Sequence, residues 1–511
     1  MTLELADGIL GWCAVALCLI WLVPTYIIYQ RYFHPLAKFP GEFAASITDF
    51  KKASYFWSLS IDKKILSLHE KYGPVVRIAP NELSFWDPEA LSAIFKSGGR
   101  AMVKSSFFDG FTTFDPNLFG NRNEEVCLNR VHALRRRQMA HSFSTASLIS
   151  MEEIFDRHVM QMRDKLDRYA ESGEKVNLKK IIAFYAYDVL GELAFDTQFE
   201  SQAKDDESNL PPINDHIFLG CLYGSLPSLL PYSMKLSGFL PIPWLQTLNR
   251  SRQSIRNTVA RCVSTMFGET LENNEKKANT LLSQLMKAKD PETGKELTVT
   301  EISSEAFGFL VAGSHTTSGT LTLLFYHLLH DFEIYSQVVE EMRRELPLLE
   351  QGAYPYTGLE AKLPYMTACV RENFRHTPVF TMPLTRQVMS QSGTVIAGTE
   401  VPAGTNVSIT NHALHHNPGI WGPDCDEYKP SRWLRDGYAK ENLKYLMPFG
   451  AGHRMCIGRN IAMANILKVV SVVLRNYELE AVDKDETLKI VTVGIGEKEG
   501  PLWCRIKKMS C

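Results

Sequence analysis

The chain has 511 residues, of which 45% are hydrophobic and 22% are charged, and its formal net charge is −2. This length allows a large buried core and about two to four domains. The near-neutral charge argues against a nucleic-acid partner, which would require a basic surface. The ten cysteines form no C-x-x-C pair, so neither a disulfide scaffold nor a structural zinc site is expected.

The first element in chain order is a run over residues 8–30 without a charged residue. A run of this length can cross a hydrocarbon core as one helix, and a buried core helix is the alternative. The acidic start of the chain and the lack of a small-residue cleavage site argue against a signal peptide. Because Arg31 and Lys38 follow, the positive-inside rule places the body of the protein in the cytosol. We therefore predict a membrane anchor over residues 1–30 and a proline-rich hinge over residues 31–43.

The remaining sequence is dominated by helical periodicity, with strand patterns near the hinge and in the last third. A phenylalanine-rich loop is predicted over residues 105–123, a basic amphipathic helix over 132–148, and an apolar stretch broken by four prolines over 218–246. No linker inside residues 44–511 marks a domain boundary. We therefore predict one large domain that is mostly α with a minor β portion.

One cysteine has an unusual setting, in the stretch MPFGAGHRMCIGRNIAMANI over residues 447–466. A cysteine thiolate is a strong, soft ligand for iron, and a haem needs only one protein ligand on one of its faces. Backbone N–H groups that converge on Cys456 would stabilise its charge, and the helix predicted just after it would add its positive end. The tight turns that such a loop needs are typical of glycine, and three glycines lie around it: Gly450, Gly452 and Gly458.

Two other neighbours of Cys456 fit the same interpretation. Phe449 can shield the sulfur by packing, and Arg454 can pair with a carboxylate of a cofactor. By itself, a glycine-rich turn around a buried cysteine is more often structural than functional.

The segment FGAGHRMCIG, residues 449–458, resembles the haem-binding signature of the cytochrome P-450 superfamily at every defined position. The resemblance implies the fold of that family, with haem b as cofactor and Cys456 as the ligand of its iron. It also implies that Arg454 forms a salt bridge with a haem propionate.

A second motif is Glu372-x-x-Arg375, in the stretch RENFR. Such a pair is a common ion pair on a helix surface, worth a few tenths of a kcal/mol. Its place upstream of the cysteine turn, with YKPSRWL between, resembles the K helix and meander of the family. The resemblance implies that Arg432 joins Glu372 and Arg375 in a structural network that fixes the cysteine loop.

A third motif lies in the periodic helix over residues 307–330. Alone, Gly313 there indicates close helix packing, and Thr316 indicates a hydrogen bond to the carbonyl one turn earlier. In this order the segment resembles the I helix of the family, which implies that the Thr316 hydroxyl hydrogen-bonds dioxygen and relays protons. Ala312 and Gly313 would then open space over the iron.

The sequence departs from the family at His315, where Asp or Glu usually precedes the threonine. An imidazole with a pKa near 6.5 can relay protons. Alternatively, His315 points into the protein and water carries the protons. The departure also leaves room for a member of the family that does not oxygenate its substrate.

Three further residues match positions that often contact the haem propionates. His132 stands where the C helix usually has a tryptophan, and Arg136 lies one turn further on the same face. Arg386 matches an arginine that often follows the K helix, although a surface arginine at a strand start is the alternative. For Arg135 and Arg137 we expect a solvated basic face.

The resemblance also implies an activity. A member of this family inserts one oxygen atom from dioxygen into a substrate C–H bond, and it takes electrons from a partner because the chain has no dinucleotide or flavin motif. For a membrane-anchored member that partner is NADPH–cytochrome P-450 reductase, at the endoplasmic reticulum membrane with the catalytic domain facing the cytosol. The stretches YFHPLAKFPG and AHSFS resemble fungal members.

The substrate pocket is less defined by sequence. The resemblance places the phenylalanine-rich loop beside the pocket, together with Thr381 and Met382, and it places the 218–246 stretch at the membrane. We therefore expect a lipophilic small molecule from fungal secondary metabolism: a terpenoid, polyketide or alkaloid. Two alternatives remain, an isomerase or dehydratase of the same fold and a haem-binding sensor without turnover.

Overall fold

The computed structural model describes residues 21–95, 102–122, 130–272, 280–290, 293–349 and 351–509. Most of the predicted anchor, residues 1–20, lies outside the described residues. Residues 21–28 are helical, and the π-helical turn Tyr29–Phe33 follows them. No helix within these described ranges is both long enough and apolar enough to cross a membrane.

The fold is mostly helical with a minor β portion, as the sequence predicted. The helices of 11 residues or more are α1 (Ile61–Tyr72), α2 (Arg130–Ala140), α3 (Glu152–Ser172), α4 (Leu178–Phe195), α5 (Ile213–Gly224), α6 (Pro243–Glu272), α7 (Val299–Gly313), α8 (His315–Leu329), α9 (Phe332–Glu345), α10 (Pro364–His376) and α11 (Arg459–Asn476). Shorter helices are Phe43–Ile47, Phe50–Trp57, Ala90–Phe95, Thr145–Ser150, Ser201–Lys204, Leu230–Leu236, Leu281–Met286, Leu359–Lys362, Asn411–His415, Pro418–Trp421 and Tyr438–Asn442. Single 3₁₀ turns are Ser106–Phe111, Glu207–Asn209, Pro430–Leu434, Leu443–Tyr445 and Gly452–Arg454.

Short strands form four small sheets. The strands are β1 (Val75–Ala79), β2 (Glu82–Phe85), β3 (Met102–Lys104), β4 (Val176–Asn177), β5 (Arg386–Val388), β6 (Thr394–Ile396), β7 (Thr399–Val401), β8 (Asn406–Ser408), β9 (Tyr477–Ala481), β10 (Ile490–Thr492), β11 (Gly496–Lys498) and β12 (Trp503–Lys508). The five-stranded sheet has the order β1-β2-β8-β5-β3, and β1 and β2, in the region where the sequence predicted strands near the hinge, form an antiparallel hairpin. The other sheets are β4-β12-β9, β6-β7 and β10-β11.

The largest hydrophobic core is built from α3, α4, α8, α9, α10 and α11. Helix α4 is apolar around most of its circumference and is buried along nearly its whole length, which is what an all-round apolar helix requires. A second core joins α1, α4, α5, α6 and α7 to the 3₁₀ turn Ser106–Phe111. The junction of α7 and α8 and the start of α11 are therefore held by the two largest cores.

The segment predicted as a hinge, residues 31–43, packs against β1. Arg77 Nη1 donates to the Gln30 carbonyl at 2.9 Å, and the Arg77 N–H donates to the Pro40 carbonyl at 2.8 Å. A Cβ at Gly41 would lie 2.3 Å from the Arg77 carbonyl oxygen, so only glycine permits this close approach.

Candidate active site

The loop that carries Cys456 is a tight turn just before α11. The Cys456 N–H donates to the Phe449 carbonyl at 2.8 Å, which closes the loop. Gly450 and Gly452 have φ angles of 72° and 69°, in the left-handed region that favours glycine. Gly458 has an ordinary φ of −81°, and a Cβ there would lie 3.9 Å from the Cys456 sulfur. Two of the three glycines are thus required by backbone conformation, and the third leaves room beside the sulfur.

The Cys456 side chain is exposed, and protein atoms crowd around its sulfur. Burial raises the pKa of its thiol, whereas the Gly458 N–H, which donates to the sulfur, and the positive charge of Arg136 lower this pKa. Arg136 is itself fixed by a hydrogen bond from its Nη1 to the Met455 carbonyl at 2.6 Å. The sulfur is therefore a soft donor with an N–H group and a cation beside it, which suits a metal-bound thiolate.

Six basic side chains gather near this loop, and burial and their mutual repulsion lower the pKa values of several of them. They are Lys104, His132, Arg136, Arg386, His453 and Arg454. Among the described residues no acidic side chain forms a salt bridge with any of them. Lys104, His132 and Arg386 are buried, Arg136 and Arg454 are half-buried, and the lowered pKa values of His132 and His453 make these two rings neutral. Positive charge held inside a protein without a counter-charge is costly, so the lysine and the three arginines indicate a site for an anionic group.

Two arginines of this basic cluster donate only to backbone carbonyls in the described part of the chain. Arg454 Nη1 donates to the Asn121 carbonyl at 2.7 Å, and Arg386 Nη1 donates to the Thr385 carbonyl at 3.1 Å. Burial, followed by the charge of Arg454, lowers the pKa of Arg386 to about 9. The Arg386 guanidinium lies over the Phe95 ring, 5.1 Å from its centroid. Each arginine keeps unused donors for a carboxylate.

Sequence reasoning named four members of the basic cluster and missed Lys104 and His453. His453 lies inside the cysteine motif, beside Arg454, and its ring is 5.9 Å from that of His132. Its position in the motif could have indicated it. Lys104 is the last residue of β3, and nothing in its local sequence distinguishes it from a surface lysine.

The side chains of Glu372, Arg375 and Arg432 form a network without solvent exposure. Arg375 donates to both Glu372 oxygens, from Nη2 at 2.7 Å and from Nε at 3.0 Å. Arg432 Nε donates to Glu372 Oε1 at 3.0 Å, and Trp433 Nε1 donates to Oε2 at 2.8 Å. Arg432 Nη1 also donates to Asp424 at 3.0 Å. The network joins α10 to the 3₁₀ turn Pro430–Leu434, which precedes the cysteine loop.

Sequence reasoning missed Trp433 and Asp424 in this network. Trp433 directly follows Arg432 in YKPSRWL, so its position near the network could have been inferred. Asp424 lies in an irregular loop, and no periodic pattern indicates it. Arg375 also donates to the carbonyls of His415, Cys425 and Glu427 at 2.6 to 2.9 Å.

The helix predicted over residues 307–330 is divided at Ser314 into α7 and α8. The Thr316 hydroxyl donates to the Ala312 carbonyl at 2.8 Å, and the Thr317 hydroxyl donates to the Gly313 carbonyl at 3.3 Å. Hydroxyls that bond to the preceding turn compete with the backbone and bend helices. Ala312 and Gly313 are exposed at this break, which leaves one face of the helix uncovered.

A Cβ at Gly313 would lie 2.6 Å from Leu190 Cδ1 on α4. The missing side chain therefore permits close packing of α7 on α4, which is the alternative that the sequence left open for this glycine. The exposed methyl group of Ala312 lies on the uncovered face instead.

His315 lies near β11, with its Nε2 3.9 Å from Glu497 Oε2, and this buried nitrogen has no hydrogen-bond partner in the described part of the chain. Burial lowers the pKa of His315, Glu497 raises it, and Lys179 lowers it. Consecutive side chains leave a helix about 100° apart, so His315 and Thr316 face different surroundings.

The phenylalanines of the 105–123 loop pack mainly on one another and on α5. Phe107, Phe108 and Phe111 are buried, and the Phe119 ring lies 5.3 Å from that of Phe108. A Cβ at Gly220 would lie 2.5 Å from the Phe111 ring, so this glycine allows the loop to sit directly on α5. Most of this aromatic set is therefore core packing.

Arg137 is exposed, as expected, but the expectation of a solvated face was wrong for Arg135. Arg135 is buried on α2 and its Nη2 lies 2.8 Å from Glu301 Oε1. Its Nε lies 3.5 Å from Glu305 Oε1. Two carboxylates on α7, one turn apart, supply the counter-charge that makes burial of this arginine possible.

Three features are typical of a haem-thiolate protein. They are the mostly helical fold, the exposed cysteine in a turn that contains glycines, and the basic cluster without an acidic partner in the described part of the chain. The Cytochrome P450 family model matches residues 53–501. The chain belongs to the cytochrome P450 family, and it is a cytochrome P450 monooxygenase. Membership implies a haem iron with a cysteine ligand and electrons from a reductase.

Curated relatives include several fungal proteins. The chain is 28% identical over 497 residues to pisatin demethylase of Fusarium vanettenii, covering 94% of this chain and 91% of that protein. It is 29% identical over 456 residues to the cytochrome P450 monooxygenase cicH of Emericella nidulans, covering 87% and 88%. It is 27% identical over 479 residues to the monooxygenase gsfF of Penicillium aethiopicum, covering 91% and 92%.

Proposed function

We propose that this protein holds haem b on Cys456 and inserts one oxygen atom from dioxygen into a C–H bond of a lipophilic small molecule. The observation that carries the proposal is that one exposed cysteine lies near a basic cluster for which the described residues supply no acidic partner. The haem has the matching chemistry, an iron that accepts a thiolate and two propionates that neutralise cations. When bound, it activates dioxygen for transfer of one oxygen atom.

The residues of the chain divide the remaining work. Arg136, Arg386, Arg454 and His132 bind the propionates, and the Gly458 N–H stabilises the sulfur. The Glu372 network holds the turn Pro430–Leu434 against α10 and so supports the cysteine loop that follows this turn.

The Thr316 hydroxyl lies at the break between α7 and α8, beside the exposed Ala312 and Gly313, and there it would hold a proton. This hydroxyl donates to the Ala312 carbonyl, and it would instead donate to bound dioxygen when that is present. His315, near Glu497 and Lys179, is a proton carrier only if its side chain or a water reaches the same face. We therefore assign the direct hydrogen bond to dioxygen to Thr316 and not to His315.

We propose NADPH–cytochrome P-450 reductase as the source of electrons. The chain has no dinucleotide-binding motif, and the P450 family depends on a redox partner.

We propose that the protein is anchored in the endoplasmic reticulum membrane, with its catalytic domain in the cytosol. Exposed apolar side chains in the N-terminal segment and in the 218–246 stretch support this: Trp21, Leu22, Tyr26, Tyr32, Phe33, Phe50, Trp57, Leu229, Tyr232, Leu236, Phe239 and Trp244. The Trp57 ring lies 5.0 Å from that of Trp244 and 5.7 Å from that of Phe218. These contacts join the helix Phe50–Trp57 to the 218–246 stretch, and exposed apolar side chains on both segments are typical of a membrane contact.

We propose a fungal secondary metabolite, such as a terpenoid, polyketide or alkaloid, as the substrate. The apolar surface and the aromatic loop favour a lipophilic molecule that arrives from the bilayer. One curated relative is named for demethylation of pisatin, which supports a small-molecule substrate of this kind.

The test is turnover of a panel of such metabolites by protein reconstituted with the reductase, NADPH and ¹⁸O-labelled dioxygen. The proposal predicts a product that contains one ¹⁸O atom. Product formation without reductase or oxygen would instead establish an isomerase or dehydratase. Haem binding without any turnover of the panel would favour a sensor.

A further inference from the structure

The segment 112–122 is docked onto α7 through two neighbouring residues of that helix. The Asp115 N–H donates to Ser304 Oγ at 2.9 Å, and Asn117 Nδ2 donates to the Ser304 carbonyl at 3.2 Å. The Leu118 N–H donates to both oxygens of Glu305, at 3.0 and 3.1 Å. Backbone groups of the segment thus depend on side chains of α7.

Glu305 is a carboxylate in an unusual place. Its side chain is almost fully buried, and burial raises its pKa to about 7. The Leu118 N–H and Arg135 lower this pKa, and Glu301 raises it. Arg135 is nearer to Glu301 than to Glu305, so the direct hydrogen bond of Glu305 is the one from Leu118. A buried carboxylate is costly unless such bonds compensate for it.

The far end of segment 112–122 reaches the cation cluster. The Asn121 carbonyl accepts a hydrogen bond from Arg454, and the Phe119 carbonyl accepts one from Lys104. The Phe119 ring lies 5.7 Å from that of Phe111, in the aromatic set that rests on α5. The same short segment therefore joins α7 to the cations beside Cys456.

We propose that Glu305 is a positioning residue that fixes segment 112–122 beside the basic cluster near Cys456, through the Leu118 N–H. Glu305 itself forms no hydrogen bond or ion pair, within the described residues, with the basic cluster or with the cysteine loop. It acts through the segment, because the segment carries the Phe119 ring and the Asn121 carbonyl. The effect on ligand binding rests on the proposed function, whereas the docking of the segment does not.

Hydrogen–deuterium exchange of the Leu118 amide tests the docking directly in the full chain. At about pH 8, where a carboxyl with a pKa of about 7 is mostly charged, we expect Glu305→Ala to raise this exchange rate by about tenfold or more, since hydrogen bonds to charged groups are among the strong ones. Glu305→Gln retains volume and one acceptor oxygen, so we expect a smaller increase. Glu301→Gln is the matched control, because it removes a carboxylate from the same arginine without touching the segment. Leu118 exchange equal to wild type in both Glu305 variants would overturn the proposal.

Azole binding to the ferric protein tests the consequence for the site. Imidazole needs only the iron, whereas 4-phenylimidazole also needs an aromatic pocket of defined shape. We expect Glu305→Ala to weaken 4-phenylimidazole several-fold more than imidazole, and Glu301→Gln to change neither. Equal losses for both azoles, with Leu118 exchange raised, would overturn the positioning role. A wild-type protein that binds neither azole would contradict the haem function and leave the exchange result standing.

Discussion

Arg432 Nε donates to Glu372 Oε1 at 3.0 Å, across 60 residues of sequence, and neither side chain is exposed to solvent. With Arg375, this bond ties α10 to the turn that precedes the cysteine loop. A buried charge is tolerated only when its partners are present, so this relationship couples stability to the geometry of the site.

Substitution Glu372→Gln leaves Arg375 and Arg432 buried with reduced counter-charge. We expect a loss of about 3–5 kcal/mol in the free energy of unfolding and a smaller yield of haem-loaded protein. Denaturant unfolding measures the first effect and absorbance per polypeptide measures the second. Glu360→Gln is the control, because Glu360 forms only an exposed ion pair with Arg371 and should cost about 0–1 kcal/mol. Equal losses in the two variants would contradict the structural role of the network.

Substitution Arg386→Met removes one cation from the unpaired cluster. We expect the apoprotein to be no less stable than wild type, because a buried like charge is relieved, and the loaded protein to lose haem about 10- to 100-fold faster. Haem transfer to an excess of an acceptor apoprotein measures the rate. The exposed Arg137 supplies the control Arg137→Gln. Unchanged haem loss in Arg386→Met would remove this arginine from the propionate site.

Substitution Thr316→Ala removes the hydroxyl beside the uncovered face of the helix break. We expect a larger fraction of the NADPH consumed to appear as hydrogen peroxide, because protons are delivered less efficiently. Thr320→Ala is the control, since the Thr320 hydroxyl makes the same kind of bond, to the Thr316 carbonyl at 2.8 Å, but is buried. His315→Ala should uncouple less than Thr316→Ala. The reverse order would make the histidine the main proton carrier.

The buried histidines near the end of α10 should make the protein sensitive to acid. Burial and neighbouring positive groups lower the pKa of His327 to about 3, of His412 to about 4 and of His416 to about 3. The unfolded chain protonates histidine near pH 6.5, so below that pH it binds more protons than the folded protein. Stability should therefore fall as the pH decreases from about 6.5 towards 4.

The variant His327→Phe retains the ring that stacks on Tyr428 and removes one such proton site. The slope of unfolding free energy against pH between 6 and 4 should decrease by up to about 1.4 kcal/mol per pH unit. Denaturant titrations at several pH values measure the slope, with His141→Gln, at an exposed histidine, as the control. Parallel curves for wild type and His327→Phe would show that His327 does not contribute.

Local patterns were enough to predict much of this molecule. The strands near the predicted hinge and the mostly helical class follow from short-range periodicity. The cysteine loop was recognisable because its glycines, arginine and cysteine are adjacent in sequence. Structural features whose residues lie within about ten positions of one another can be predicted from local sequence patterns.

Features that depend on distant packing were not visible. Lys104 enters the cation cluster from β3, and Arg135 is buried because two carboxylates of α7 face it. The division of the long helix at Ser314 was not predicted, because helical periodicity continues through residues 307–330. The sequence indicated close packing at Gly313 but not its partner Leu190, more than a hundred residues earlier.

The central claim is that the Cys456 sulfur is the ligand of a haem iron. The most direct measurement is the absorption spectrum of the reduced protein under carbon monoxide, for wild type and for Cys456→Ser. We expect the thiolate-type Soret band in wild type and its loss in Cys456→Ser. A wild-type spectrum without that band, or a band that persists in Cys456→Ser, would contradict it.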